Sequence, residues 1–148
     1  VGVLEEGICR FSRTDGKRRE HVVSYTFAGS LVGEYTACLC ARPSLVDIRA
    51  VTPCRLCLVP YGRMRQWMEA TPEGNRMGRL VAEQMFVLAY RRMLDGYCLT
   101  PEERYRELMA RHPELKELRP LREIASFIGV TPETVSAIRR KLLDEAKS

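Results

Sequence analysis

Histidine is nearly missing from this chain of 148 residues, which holds only His21 and His112. Neither has a visible nucleophile partner, and no glycine-rich phosphate loop or two-carboxylate motif stands out. The chain therefore reads as something other than an enzyme. Long apolar runs are missing too. None approaches the ~20 residues needed to cross a bilayer, and no secretory signal opens the sequence. A cytoplasmic protein with no membrane partner is expected.

What is present fits that picture. A composition of 45% hydrophobic and 29% charged residues suits a soluble chain of one larger or two small domains. A formal charge of +5 and a pI near 9.0 suit an anionic partner such as nucleic acid. The six cysteines, without secretory features, read as reduced thiols rather than a disulfide framework. The chain opens on a valine inside a strand-like run, so a further N-terminal part is expected ahead of Val1.

Residues 1 to about 60 alternate short runs rich in branched and aromatic residues with turn signals. Runs at 1–4, 8–13 and 20–27 are separated by Glu5-Glu6-Gly7 and Thr14-Asp15-Gly16-Lys17, each with a glycine suited to a hairpin. Residues 46–51 and 55–59 form another pair around Thr52-Pro53-Cys54. The pattern predicts a β-roll, barrel or sandwich, with 29–44 as a short helix or binding loop. From Tyr61 the period becomes helical. Met64, Trp67 and Met68 mark a short helix ending near Thr71-Pro72, and a longer one spans about 73–94. Its stripe of Met77, Leu80, Val81, Met85, Leu88 and Met93, broadened by Phe86, Val87 and Ala89, is too wide for one neighbour. One side is expected against the β-domain and the other against a second copy, giving a homodimer. Thr100-Pro101-Glu102-Glu103 opens a further helix to about Arg111, which His112-Pro113 breaks.

Residues 121–142 carry the most specific signal. Ile124, Ala125 and Ile128 line one side of a short helix, with a small residue where a second helix would cross. Gly129 suits a left-handed helix end, Thr131 a helix cap and Pro132 the first helical position. Val135, Ile138 and Leu142 face inward on the next helix. Glu133, Ala137 and Arg140 face outward, flanked by Thr134, Ser136 and Lys141. This is a helix-turn-helix pattern with a basic edge at Arg139-Arg140-Lys141. A plain helical corner, or a module that docks protein instead of DNA, would bury the same apolar residues. The cations separate these readings from DNA binding.

In this order of parts the sequence resembles the Crp/Fnr family of bacterial transcription regulators, over nearly its whole length. The motifs that carry the likeness are EEGICRFSRTDGKRRE, the Gly33-Glu34 pair, ARPSLVDIRAV, the long helix, LTPEERYRELM and IASFIGVTPETVSAIRRKL. The last segment looks most like members from the Bacteroides group. The resemblance implies an α+β chain whose β-roll is of the cyclic-nucleotide-binding type and lacks its first strands. It implies an effector-sensing roll over 1–70, a dimerisation helix and hinge over 71–98, and a DNA-binding helix-turn-helix over 99–148. The partners implied are double-stranded DNA, a second copy of the chain, a small-molecule effector and RNA polymerase.

Site residues follow residue by residue. Glu133 matches a family position that reads a cytosine amine, and Arg139, Arg140 and Lys141, with Thr131 and Thr134, would hold phosphates. Ser136 and Ala137 complete the expected DNA-facing set. Two arginines that read bases in the cyclic-AMP receptor are Pro132 and Ala137 here, so a different operator is expected. Few residues follow Leu142, so a hairpin wing and its phosphate contacts are not expected. For the effector, Gly33 and Glu34 match the first pair of the family's phosphate cassette. Ser44 stands where its arginine would be, and Arg42 lies two residues early. Ala89 and Tyr90 replace hydroxyl residues that touch the base. Cyclic nucleotide is therefore disfavoured and no cofactor is assigned. Cys38-x-Cys40 and Cys54-x-x-Cys57 have zinc-like and iron–sulfur-like spacings. The cysteines of redox-sensing relatives lie largely ahead of the roll and do not match these. Cys57 reads as a packed thiol, and no metal site is assigned.

Overall fold

In the computed structural model, which describes residues 1–146, four strands, one short helix and two further strands precede six more helices. Strands β1 (Gly2–Glu6), β2 (Ile8–Thr14), β3 (Glu20–Phe27), β4 (Leu31–Val32), β5 (Asp47–Ala50) and β6 (Arg55–Leu58) form two antiparallel sheets, ordered β4-β1-β6 and β3-β2-β5. The hairpin expected at Thr14-Asp15-Gly16-Lys17 forms, and the Asp15 carboxylate accepts the backbone N–H of Lys17 and Arg19. Those bonds, Arg19 first and the His21 ring next, hold the Asp15 carboxyl far below the usual carboxylate range. The left-handed position of this turn belongs to Arg18, not Gly16.

Two expected pairings do not occur. Glu5-Glu6-Gly7 does not close a hairpin, because β1 and β2 pair in different sheets and the chain crosses between sheets at Gly7. Likewise β5 joins β2 while β6 joins β1, so 46–51 and 55–59 are not partners. Each strand follows the apolar pattern, but the pattern does not say which sheet receives it. The two sheets enclose Leu4, Cys9, Phe11 and Val32.

The segment 29–44 resolves into β4 and a short helix, α1 (Tyr35–Cys40). Helix α2 (Tyr61–Ala70) leads into α3 (Pro72–Cys98), capped by the Thr71 hydroxyl and longer than its apolar stripe predicts. The two pack closely because Gly74 has no side chain. A Cβ there would stand 2.8 Å from Met68 Cα and closer still to the Trp67 carbonyl oxygen. Beyond this contact most apolar residues of α3 are exposed within one chain, with Phe86 69% and Tyr97 85% exposed.

Helix α4 (Pro101–Arg111) begins with the expected capping box of Thr100 and Glu103. A short α5 (Leu115–Leu118), unmarked in the sequence pattern, buries Leu115. Helices α6 (Leu121–Ile128) and α7 (Pro132–Glu145) form the helix-turn-helix. Gly129 ends α6 at φ 75°, where a Cβ is disfavoured. Ile124, Ala125, Ile128, Val135 and Ile138 are buried as expected, with Tyr105, Leu108 and Leu115. The same cluster takes in Ile8, Val22 and Tyr25 of the roll, so one core joins the sheet β3-β2-β5 to the C-terminal helices.

Candidate nucleic-acid interface

The turn of the helix-turn-helix is built by its own residues. The Thr131 hydroxyl accepts the Thr134 N–H at 3.3 Å and lies 3.1 Å from the Thr134 hydroxyl. Glu133, at the positive end of α7, has its carboxyl held below the ordinary range, first by its own backbone N–H and then by Thr131. Glu133, Ser136, Ala137 and Arg140 are all exposed, and Arg140 forms no ion pair among the described residues. The outward surface of α7 is thus open.

The cationic edge is narrower than the sequence implies. Arg139 turns inward: its Nε donates to Tyr105 Oη at 2.9 Å, its guanidinium lies 5.8 Å from the Tyr105 ring centre, and Nη2 is buried with no partner among the described residues. Lys141 donates to Glu102 at 2.7 Å, and Arg106 bridges Glu102 and Glu145 at 2.8 and 2.6 Å. The facing Glu102 raises the Lys141 ammonium. These pairs tie α7 to α4, which leaves Arg140 as the outward cation. Spacing alone places all three cations on one edge, and only the neighbouring α4 shows which two it engages. Arg122, exposed at the start of α6, adds a cation that the sequence reading missed. Its signal was a basic residue in the first turn of the first helix.

A second group of residues, also missed, fixes this domain to the roll. Glu123 of α6 is 8% exposed. It receives Arg10 Nη1 at 2.9 Å, Arg119 Nε at 2.8 Å and Tyr25 Oη at 3.3 Å. Arg10 also meets Glu20 at 2.8 Å, which the Ser12 hydroxyl joins at 2.8 Å. Burial pushes the Glu123 carboxyl up, but Arg119 and Arg10 more than offset this and hold it below the ordinary range. Burial, and then Glu123, pushes the Tyr25 hydroxyl to about 12. Ser126 Oγ accepts the Val22 N–H at 2.8 Å, so α6 satisfies a backbone donor on the edge strand β3. The available signal was Glu123 beside Ile124 and Ala125 on the apolar side of α6, and Arg10 inside an apolar strand.

Between these parts lies a cleft of about 690 Å³, lined by β3, the last turns of α3, α4 and the end of α6. His112 stacks on Phe27 at 3.5 Å, and Arg92 lies 4.4 Å from the Phe127 ring centre. Burial pulls the Arg92 guanidinium below its usual value.

The effector residues sit around α1, but their groups are occupied or apart. Both Glu34 carboxylate oxygens serve its own helix: one accepts the Thr36 hydroxyl and the other the Ala37 N–H at 2.8 Å. Gly33 adopts φ 139°, Arg42 lies past the other end of α1, and the Ser44 hydroxyl donates to the Val46 carbonyl. A carboxylate that caps its own helix is already held in that orientation, and no arginine stands at the cassette's phosphate position. Calorimetric titration with cyclic AMP and cyclic GMP is therefore expected to show no saturable micromolar binding. Two cysteines differ from expectation: Cys57 is exposed rather than packed, and Cys54 neighbours Cys9. No cluster of three metal-ligating side chains forms among the described residues.

Comparison with known proteins bears on both halves. A profile of the cyclic nucleotide-binding domain family matches residues 1–71. No curated protein matches the chain. Among solved structures, FixK2 from Bradyrhizobium japonicum aligns at a TM-score of 0.76 and 16% identity, over 98% of this chain and 75% of its own. TTHA1359, a Crp/Fnr-family transcriptional regulator from Thermus thermophilus, aligns at 0.68 and 22% identity, over 97% and 75%. CLP of Xanthomonas campestris, a c-di-GMP responsive global regulator, aligns at 0.67 and 19%, over 98% and 77%. At these identities the likeness is one of fold. Residues 1–71 match that domain family, and the chain as a whole shares its fold with these regulators. No helix among the described residues is long and apolar enough to cross a membrane.

Proposed function

We propose that this chain, with its Crp/Fnr regulator fold, binds a specific DNA sequence as a homodimer and couples a sensory roll to that binding. The observation that carries the reading is the open outward face of α7, where Glu133, Ser136, Ala137 and Arg140 stand clear on a buried helix-turn-helix core. A helix so presented fits the major groove. Glu133 accepts from a cytosine amine there. Arg140 holds a phosphate, with Arg122 at the start of the supporting helix, while Thr131 and Thr134 fix the turn and approach the backbone. Arg139 and Lys141 contribute by bracing α7 on α4. Two copies joined along α3 would address two half-sites of a palindrome, and an effector would act by shifting the roll against α6.

Selection of bound duplexes from a random pool, followed by gel shift on the enriched sequence, tests this directly. Arg140→Ala should weaken binding to all sequences and lower the salt slope by about one ion. Glu133→Ala should instead relax one base position, on the order of ten- to hundred-fold in discrimination. If no duplex is enriched and neither change alters retention, α7 does not read DNA.

A protein-docking module is the second reading. It is favoured by the commitment of Arg139 and Lys141 to Tyr105 and Glu102, which reduces the cations available to phosphate. A shallow salt slope for wild-type DNA binding would favour it further.

A further inference from the structure

Cys9 and Cys54 bring their sulfur atoms to 3.9 Å inside the roll. Cys9 lies on β2, the middle strand of one sheet, and is 3% exposed. Cys54 immediately precedes β6 of the other sheet and is half-buried. Its thiol is held in place by the Thr52 carbonyl at 3.2 Å and the Ile8 carbonyl at 3.5 Å. The surrounding segment is stitched to β2 as well. The Val51 N–H donates to the Ile8 carbonyl at 2.8 Å, and the Ile8 N–H donates to the Thr52 hydroxyl at 2.9 Å. Neither thiol belongs to the DNA-facing surface or to the Glu34 cassette.

We propose that Cys9 and Cys54 are a peroxide-oxidisable dithiol that closes to a disulfide between β2 and the segment leading into β6. The sequence spacing had set Cys54 beside Cys57. The fold gives it Cys9 instead, and the proposal stands whether or not α7 binds DNA.

The two thiols have different roles. Burial, and then the neighbouring Cys54 thiol, pushes Cys9 up to about 11, so Cys9 carries almost no thiolate at neutral pH. Cys54, partly open to solvent, is the sulfur that hydrogen peroxide reaches. Its thiolate attacks one peroxide oxygen, the O–O bond breaks, and hydroxide leaves to take up the proton that Cys54 released. Cys54 is then a sulfenic acid. Cys9 sulfur attacks Cys54 sulfur, the S–O bond breaks, and the departing hydroxide takes the Cys9 proton as water. Two thiols lose two electrons and two protons, and one peroxide becomes two waters. The second step depends on Cys9 thiolate, so the overall reaction should quicken as pH rises. Closing from 3.9 Å to the ~2.05 Å of a disulfide falls to residues 51–54, which lie in neither sheet. The resulting tie stands behind Ile8 and Val51, whose side chains pack in the core shared with α4 and α6.

The test uses the full reduced chain. It is treated with hydrogen peroxide, its remaining thiols are alkylated, and its peptides are mapped by mass spectrometry. The expected result is a Cys9–Cys54 cross-link with a mass loss of two hydrogens, reversed by dithiothreitol and absent in Cys54→Ser. A Cys9 that is alkylated in full while Cys54 proceeds to a sulfinic acid would overturn the proposal, as would a Cys54 linked to another cysteine or to a second chain. Cys9→Ser places a hydroxyl in the core and risks the fold, so wild-type mapping and Cys54→Ser carry the decision. No DNA enters this experiment, so its failure is distinct from failure of the DNA-binding reading.

Discussion

Replacing Glu123 by alanine should destabilise the protein by about 3 kcal/mol, the lower end of the range for breaking a buried ion pair. Arg10 and Arg119 are only 9% and 18% exposed at their side chains, so both would lose a carboxylate where water cannot fully replace it. Arg10 retains Glu20 at 2.8 Å, which keeps the loss from the top of that range. Tyr25 also loses its acceptor. The effect has a defined pH dependence. The folded-state carboxyl of Glu123 is depressed, so its contribution is complete above the ordinary carboxylate range. It is lost as pH falls through the depressed folded value, because the native state must then bind a proton it had excluded. Urea unfolding of wild type and Glu123→Ala should differ most near neutral pH and converge in strong acid. A pH-independent difference would show that lost packing, rather than the ion pairs, sets the cost. Glu123→Gln should recover part of the stability at neutral pH by keeping the shape and some hydrogen bonds.

The double change Phe86→Glu with Met93→Glu should turn the proposed dimer into a monomer and with it abolish tight operator binding. Phe86, Tyr90, Met93 and Tyr97 recur at helical spacing on α3, away from Gly74, where α2 packs, and from Arg92, which faces the cleft. Phe86 and Tyr90 stack at 6.0 Å with nothing over them in one chain. Burying a large apolar side chain contributes ~1.5–3 kcal/mol, and two-fold symmetry counts each substitution twice. The dimer dissociation constant should rise by at least ~10³-fold. A single subunit would then touch one half-site and lose the gain from joint engagement. Analytical ultracentrifugation across a concentration series reads the first effect and gel shift the second. Gln84→Glu, exposed on the opposite side of the same helix, is the control for charge alone. A variant that stays dimeric would move the interface to another face of α3. One that is monomeric but binds the palindrome as tightly as wild type would separate DNA reading from dimerisation.

Local chemistry was legible wherever a residue's role depends on its immediate neighbours. Thr131-Pro132 and Thr100-Pro101 start helices because capping needs only a hydroxyl and the next few N–H groups. Gly129 ends α6 for a reason internal to its own backbone. The inward stripe of Ile124, Ala125, Val135 and Ile138 follows from helical periodicity, and so did the architecture of strands, long helix and helix-turn-helix. The exposed Glu133, Ala137 and Arg140 followed from the same period.

Partners distant along the chain were not legible. Arg139 and Lys141 share an edge with Arg140 by spacing, but Tyr105 and Glu102 of α4 engage them, and no periodicity encodes which helix lies alongside. Residues 8–12 are buried on both faces because Cys9 and Phe11 pack between the sheets while Ile8 joins the core shared with α6 and Arg10 meets Glu123 of α6. An alternating pattern cannot announce a second cover. Glu34 matches a ligand-binding position in sequence, yet its carboxylate is turned to its own helix.

The order of amino acids alone set the longer strands and helices, their succession, the caps of α4 and α7 and the outward character of α7, because each rests on interactions within a few residues. The division of strands between two sheets, the seating of α6 on β3, and the meeting of Cys9 with Cys54 came from the folded arrangement. Each of those depends on segments brought together across tens of residues, where packing and the pairing of buried charge select among arrangements that local preference leaves equal.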